Sequence, residues 1–481
     1  MNLASRARCG AVWIVVVVLA SSLVAQDGRA AAAARVRKLV EAARSPKMQV
    51  GVVWGDAGAA PFAAEGDLGP LVPASNQKVL TSIAAVARLG LNHEFATGFY
   101  AMGPIANGAL NGHLRVVGDG DPSFGIRDHG ETLGVFRYLA TRFKEQGVTK
   151  ITGDILCDDA AFDQDFTGPD WPKALPTTTY LAQVSALSVD EGLARLIVSP
   201  KDGGGFRVAP VPDVGTVSVG ALTVKTVGKR QDGGLAFDRP DGSNVLSVKG
   251  GWFGTAPQTH EVAIHDPTLH FGRCLVAAFR QEGIAIAGSV RRPGASERQG
   301  GTEVVRLTTP LARVLPAMLK ESQNHRAEMI LKHLGAATGR GGSFKGGSEA
   351  VAESLSGLGV QLKDCVLMDG SGLSRSNRVT ARALYDALSI MGKLPDFEAH
   401  RDLLAEPGEE GTLRRSLPAL RNRMAGKTGT LNNVKTLSGY VLTKDQRWIA
   451  FVVLCNGPEA EGRGGTLQDA VVEALAASGN P

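Results

Sequence analysis

Hydrophobic and polar positions divide the chain into recognisable stretches. Val79, Leu80, Ile83, Ala84, Val86, Ala87 and Leu89 recur at steps of three and four residues, which predicts a buried helix whose first turn carries Ser75-Asn76-Gln77-Lys78. Ala327, Ile330, Leu331 and Leu334 predict a second helix directly after Ser322-Gln323-Asn324. Residues 436–442 and 448–454 are β-rich runs separated by a polar turn. They read as an antiparallel meander, with Lys427-Thr428-Gly429 on its first strand. Residues 467–477 fit an ordinary amphipathic helix without the basic face of a membrane anchor. The middle of the chain, about 96–295, is rich in Gly, Val and Thr, with alternating runs such as 215–224. Turn clusters at Asp202-Gly203-Gly204-Gly205 and Gln231-Asp232-Gly233-Gly234 punctuate it, so it reads as mostly β.

The N-terminus has a different pattern. Arg6 and Arg8 precede a short apolar run, 11–20, and small residues follow at Ser21, Ser22 and Ala25. That is the layout of an export signal, assigned here to 1–25, with cleavage near Ala25. The alternative is a retained anchor, for which the run is marginal against the roughly 20 residues of a spanning helix. No later stretch is apolar enough to span, so the mature chain is expected to be extracytoplasmic or periplasmic, without a stable membrane span.

Composition narrows the class. The 481 residues suit two or three domains, and 43% hydrophobic with 21% charged residues is globular. The 60 glycines show no collagen period, and 52 basic against 47 acidic residues give +5, too balanced for nucleic acid as the main partner. No internal repeat of 20–50 residues is present. Cys157, Cys274, Cys365 and Cys455 are widely spaced with no C-x-x-C, which argues against zinc and for buried free thiols; a disulfide is allowed but not indicated.

Several motifs fail on inspection. Gly426-Lys427-Thr428 lacks the upstream P-loop glycine, since that position is Arg421. His260-Glu261 is followed by His265, one residue late for H-E-x-x-H, and no serine sits in G-x-S-x-G. Gly118-Asp119-Gly120-Asp121 does not continue as a dinucleotide fingerprint and reads as a turn whose aspartates bond backbone.

What survives is Ser75-x-x-Lys78. A serine and lysine at i and i+3 share a helix face, and the helix N-terminus favours an oxyanion beside the serine. A lysine serves as base only when burial or a nearby cation lowers its pKa. Alone the motif is about as frequent as chance. Ser322-x-Asn324 alone is an N-cap, and Lys427 alone is a lysine on a solvated strand. In the order S-x-x-K, S-x-N, K-T-G they form the signature set of penicillin-binding and class A β-lactamase type serine enzymes.

The flanks sharpen the family. Pro73 to Thr81, Gly118 to Pro122, Val184 to Ser188, Ser322 to Glu328, Asp369 to Arg375, Lys427 to Leu431 and Leu437 to Tyr440 read as successive blocks. Together they resemble the D-alanyl-D-alanine carboxypeptidase/endopeptidase family, the class C low-molecular-mass penicillin-binding group (peptidase family S13). The resemblance runs over nearly the whole mature chain. The 247 residues from Ser75 to Ser322 fit a family with a large insertion there. Two positions depart from it: Gln323, where many members carry aspartate, and Asp190, where asparagine is usual.

The resemblance implies an α/β (α+β) fold: a β-lactamase/transpeptidase-like domain, antiparallel sheet flanked by helices, from 26–95 and 296–481, with a mostly-β insertion at 96–295. It implies Ser75 as nucleophile, Lys78 as general base with Lys427 lowering its pKa by like charge, and Ser322 as proton relay. Asn324 would bind the substrate amide and orient Lys78. Backbone N–H groups of Ser75 and Thr430 would form the oxyanion hole, and Lys427, Thr428, Gly429 and Thr430 the carboxylate site. Its substrates are peptidoglycan stem peptides ending in D-Ala-D-Ala, and β-lactams acylate the same serine. No metal or organic cofactor is implied. The Asp369 to Arg375 segment is either a plain turn or a wall of the cleft. Two alternatives stand beside this: a β-lactamase or esterase on the same fold, and a non-catalytic penicillin- or peptidoglycan-binding sensor.

Overall fold

The computed structural model describes residues 28–479, so the export-signal expectation for 1–25 lies outside the described residues. A five-stranded antiparallel sheet is central. Its order is Ala63–Gly66, Gln49–Asp56, Trp448–Asn456, Val434–Leu442, Met424–Leu431. The expected meander is therefore present, and two strands from the start of the chain extend it.

Trp448–Asn456 shows why it sits mid-sheet. Ile449, Phe451, Val453 and Cys455 belong to one core, and Ala450, Val452 and Leu454 to the opposite one. The first face is covered by the helix over 28–43, through Val36 and Val40, and by Gly465–Ala476, through Leu467, Val471 and Leu475. The other face carries Gln77–Leu89, Leu311–Leu319, Asn324–Ala337, Phe344–Gly357 and Ala381–Met391, packed through Ile83, Leu315, Ile330, Val351 and Leu384. Each fully buried side chain of this size contributes about 1.5–3 kcal/mol. This is the expected sheet flanked by helices.

The inserted region is richer in strand than in helix and has two parts. In the first, Glu94–Met102 lies between His113–Gly118 and Thr302–Pro310, and Ile155–Asp158 and Val290–Arg291 complete a mixed sheet. Helices Gly134–Glu145 and Pro267–Gln281 pack on it through Phe136, Phe143, Phe271 and Phe279. By hydrogen bonding this part closes with Thr302–Pro310, beyond the 295 boundary read from composition. The second part, nested between Leu193 and Ala263, has two three-stranded sheets around Leu196, Val198, Val248 and Trp252. Among the described residues no helix is long and apolar enough to cross a membrane. Cys157, Cys274 and Cys455 are buried, Cys365 is partly so, and all four are free.

Candidate active site

Ser75 lies in a single 3-10 turn, Ala74–Asn76, that leads into helix Gln77–Leu89. The serine thus sits just before the helix, and Lys78 occupies its first turn. Ala74 has φ +46°, and the Asp369–Arg375 turn packs directly against it: a Cβ on Gly372, itself at φ +83°, would stand 1.7 Å from the Ala74 carbonyl oxygen. Asn76, between the two motif residues, ties the turn to the sheet. Its Nδ2 donates to Thr436 Oγ1 at 2.6 Å, and its Oδ1 accepts from Ser438 Oγ.

Lys78 is fully buried, and its Nζ donates to three acceptors: Ser75 Oγ at 3.1 Å, Asn324 Oδ1 at 2.8 Å and the Ser371 carbonyl at 2.9 Å. None is a carboxylate. Burial therefore lowers its pKa to about 8, against the opposing charges of Glu328 and Asp369. When Nζ gives up one proton, Ser75 Oγ–H becomes the donor in that contact, which is the geometry of a general base.

Lys427 is also fully buried. Its Nζ donates to Ser322 Oγ and to the Thr428 carbonyl, both at 2.8 Å. Burial, then the charge of Lys78, holds it well below its ordinary value. This corrects the electrostatic expectation: burial is the leading cause for both lysines, and the charge effect of Lys78 acts on Lys427. Ser322 is held at φ +67°, a left-handed backbone rare for serine, at the entrance to helix Asn324–Ala337.

Met424–Leu431 is the edge strand facing Ser75. The backbone N–H and C=O of Gly426 bond outward to Ala405. Strand residues two apart turn their backbone groups the same way, so Thr428 and Thr430 also direct theirs out, toward the serine. Gly429 lies between them. A Cβ there would stand 2.1 Å from Thr436 Oγ1 and 3.0 Å from Ser75 N, so the strand approaches the serine only with glycine at this position. The expected residues Ser75, Lys78, Ser322, Asn324, Lys427, Thr428 and Gly429 thus come together, and Thr430 is next along the same strand.

The inserted region reaches the same place. Asn324 Nδ2 donates to the Tyr180 carbonyl at 3.1 Å, and Trp171 Nε1 to Asp369 Oδ2 at 3.0 Å. Buried Arg326 pairs with Glu191 and Asp128, and a cavity of about 230 Å³ lined by Tyr180, Arg127 and Glu191 opens beside Ser322 and Asn324. Asp190 anchors its loop by accepting from Ile126 N at 2.6 Å, and Asp121 accepts from Ser123 N at 2.9 Å; both aspartates hold turns. The Asp369–Arg375 segment is both of the things expected of it, a turn and a contact of the catalytic cleft.

Residues 33–478 match the D-Ala-D-Ala carboxypeptidase 3 (S13) family. The chain belongs to that family. It is 32% identical over 412 residues to the D-alanyl-D-alanine carboxypeptidase of Actinomadura sp. (strain R39), covering 80% of this chain and 73% of that protein. It is 28% identical over 396 residues to the D-alanyl-D-alanine carboxypeptidase DacB of Haemophilus influenzae, covering 80% and 81%. Its fold is similar to the crystal structure of penicillin binding protein 4 (dacB) from Haemophilus influenzae, with TM-score 0.79 at 24% identity over 92% of this chain and 99% of that one. The same protein complexed with a novel β-lactam matches at TM-score 0.72 and 25% identity, over 91% and 97%.

Proposed function

We propose that this S13-family chain is an exported serine D-Ala-D-Ala carboxypeptidase, with endopeptidase action on cross-links through the same acyl-enzyme. The observation that carries the reading is the pair of lysine–serine contacts: Lys78 on Ser75, and Lys427 on Ser322, on either side of one cleft. Neutral Lys78 takes the proton of Ser75 Oγ as that oxygen bonds the carbonyl carbon of the penultimate D-Ala. The oxyanion is met by the N–H groups of Ser75 and Thr430; losing one such donor typically costs about 10²–10³ in turnover. The C–N bond then breaks, and the leaving amine takes the proton that Lys78 gained, passed on through Ser322, which Lys427 contacts, so that Lys78 is neutral again. Water repeats the sequence on the acyl-enzyme and restores Ser75.

Asn324 holds Lys78 through its oxygen, and of its two amide protons one goes to the Tyr180 carbonyl and the other is left for the substrate. Lys427, Thr428 and Thr430 line the edge strand where a terminal carboxylate is held by hydrogen bonds and by the charge that Lys427 recovers beside an anion. A β-lactam presents the same carboxylate and carbonyl, so it acylates Ser75. Arg6 and Arg8 ahead of the apolar run 11–20 support a reading in which this work is done outside the cytoplasm.

The test is incubation of purified protein with a fluorescent penicillin beside Ser75→Ala, followed over hours on a denaturing gel. The expected result is a persistent label on the wild type alone, together with D-Ala release from a D-Ala-D-Ala peptide. Fast loss of the label points to a β-lactamase. A folded protein that takes no label overturns the enzymatic reading.

A further inference from the structure

Glu328 takes no part in the steps above, yet it is built into the same site. It lies four residues beyond Asn324, on the same face of helix Asn324–Ala337, and is fully buried. Its two carboxylate oxygens accept from the backbone N–H of Gly370 at 2.7 Å and Ser371 at 2.8 Å. The carbonyl of that same Ser371 is an acceptor of Lys78 Nζ. One helix face therefore grips Lys78 twice, directly through Asn324 and indirectly through the peptide that Glu328 holds.

The surrounding charges single this carboxylate out. Lys78 is faced by Glu328 from its helix, by Asp369 from the turn and by Lys427 from the edge strand. Asp369 is fully engaged as a structural acceptor, taking Gly372 N, Ser374 N, Asn377 Nδ2 and Trp171 Nε1. Lys332, the cation further along the Glu328 helix, is paired with Asp163 at 2.6 Å. Glu328 is left with two backbone donors and no cation in direct contact.

We propose that Glu328 is a positioning residue for Lys78: it pins the Gly370–Ser371 peptide against Nζ and supplies the buried countercharge against which Lys78 gains and loses its proton. The inference rests on Lys78 as the base. Burial and Asp369 push the Glu328 carboxyl up, and the Ser371 side chain and the two backbone donors oppose them. The Glu328 charge in turn holds Lys78 above the value that burial alone would set. Removing that charge lets Lys78 lose its proton more easily, so the base form persists to lower pH.

The experiment measures the rate of acylation by a fluorescent penicillin from about pH 5 to 10 for the wild type, Glu328→Gln, Glu328→Ala and Glu328→Asp, with folding checked by thermal unfolding. The acid limb of both neutral variants moves to lower pH by about 1–3 units, while Glu328→Asp stays near the wild type. Should Glu328→Gln fail to fold, Glu328→Ala reads the same displacement without the misplaced amide. Loss of rate at every pH with an unmoved acid limb, or a limb moved to higher pH, overturns the proposal and leaves Glu328 as scaffold alone. A wild type without an acid limb, or a Lys78→Ala variant at full rate, overturns the reading of Lys78 itself and this inference with it.

Discussion

Two cationic centres in this molecule, one partly buried and one fully so, are built in opposite ways. In the inserted region, Arg292 donates from Nε to Asp159 at 2.9 Å and from both terminal nitrogens to Asp266 at 2.8 and 2.9 Å. Asp159 also accepts from Thr268 at 2.6 Å. Every charge there meets its opposite, and Arg292 is raised above its ordinary value. In the cleft, Lys78 and Lys427 are more deeply buried but touch only hydroxyl, amide and carbonyl oxygens. Direct pairing fixes a charge permanently; burial among neutral acceptors makes it cheap to remove. The first arrangement ties two parts of the insertion together, and the second leaves a lysine that gives up its proton easily, as the proposed mechanism needs.

Each prediction tests that contrast. Ser75→Ala abolishes labelling by a fluorescent penicillin; any remaining specific label on a folded variant would place the nucleophile elsewhere. Lys78→Ala lowers the acylation rate by about 10²–10⁴-fold, the usual worth of a general base. The pH profile gives the sign independently. Lys78 is lowered to about 8 and works unprotonated, so the wild-type rate climbs as pH rises through about 8 and levels above it. A rate that falls over that range means that the protonated lysine is the working form. Lys427→Ala lowers acylation by about 10- to 100-fold, the loss of a charged hydrogen bond, and kinetics equal to the wild type would remove it from the carboxylate site. Arg292→Ala has the smallest effect on chemistry. It costs about 3 kcal/mol in urea unfolding, because Asp159 and Asp266 lose their partner, but leaves the acid limb of acylation where it was. A displaced limb would show that the two centres are coupled.

Much of the site was legible because its residues lie in short contiguous motifs whose spacing carries geometry. The i, i+3 spacing of Ser75 and Lys78 becomes a 3.1 Å contact. Glu328 was harder to read. It stood within a motif block, but only the arrival of Gly370 and Ser371 on its helix face gives it partners. Asn76 likewise acquires meaning from Thr436 and Ser438, far along the chain. The strand Gln49–Asp56 lacked a polar–apolar alternation because Val52 faces one core and Val53 the other, so both faces are covered. In the insertion, the apolar spacing of Val135, Phe136, Leu139, Ala140 and Phe143 marked a helix, but the surrounding glycine-rich turns obscured it. The close approach of the distant Gly372 to the turn at Ser75 is a tertiary contact that local pattern does not encode.

The strand order of the central sheet also sets when the enzyme can exist. Gln49–Asp56 pairs with Trp448–Asn456, and the edge strand beside Ser75 is reached only through Val434–Leu442. A chain growing from its N-terminus makes the nucleophile and its base early, then the whole insertion and the S-x-N helix, and the strand that completes the cleft near the end. Until that strand docks, Lys427 and Gly429 are not beside Ser322 and Ser75. An interrupted or clipped product ending before Met424 therefore keeps Ser75 and Lys78 but lacks the strand that faces them.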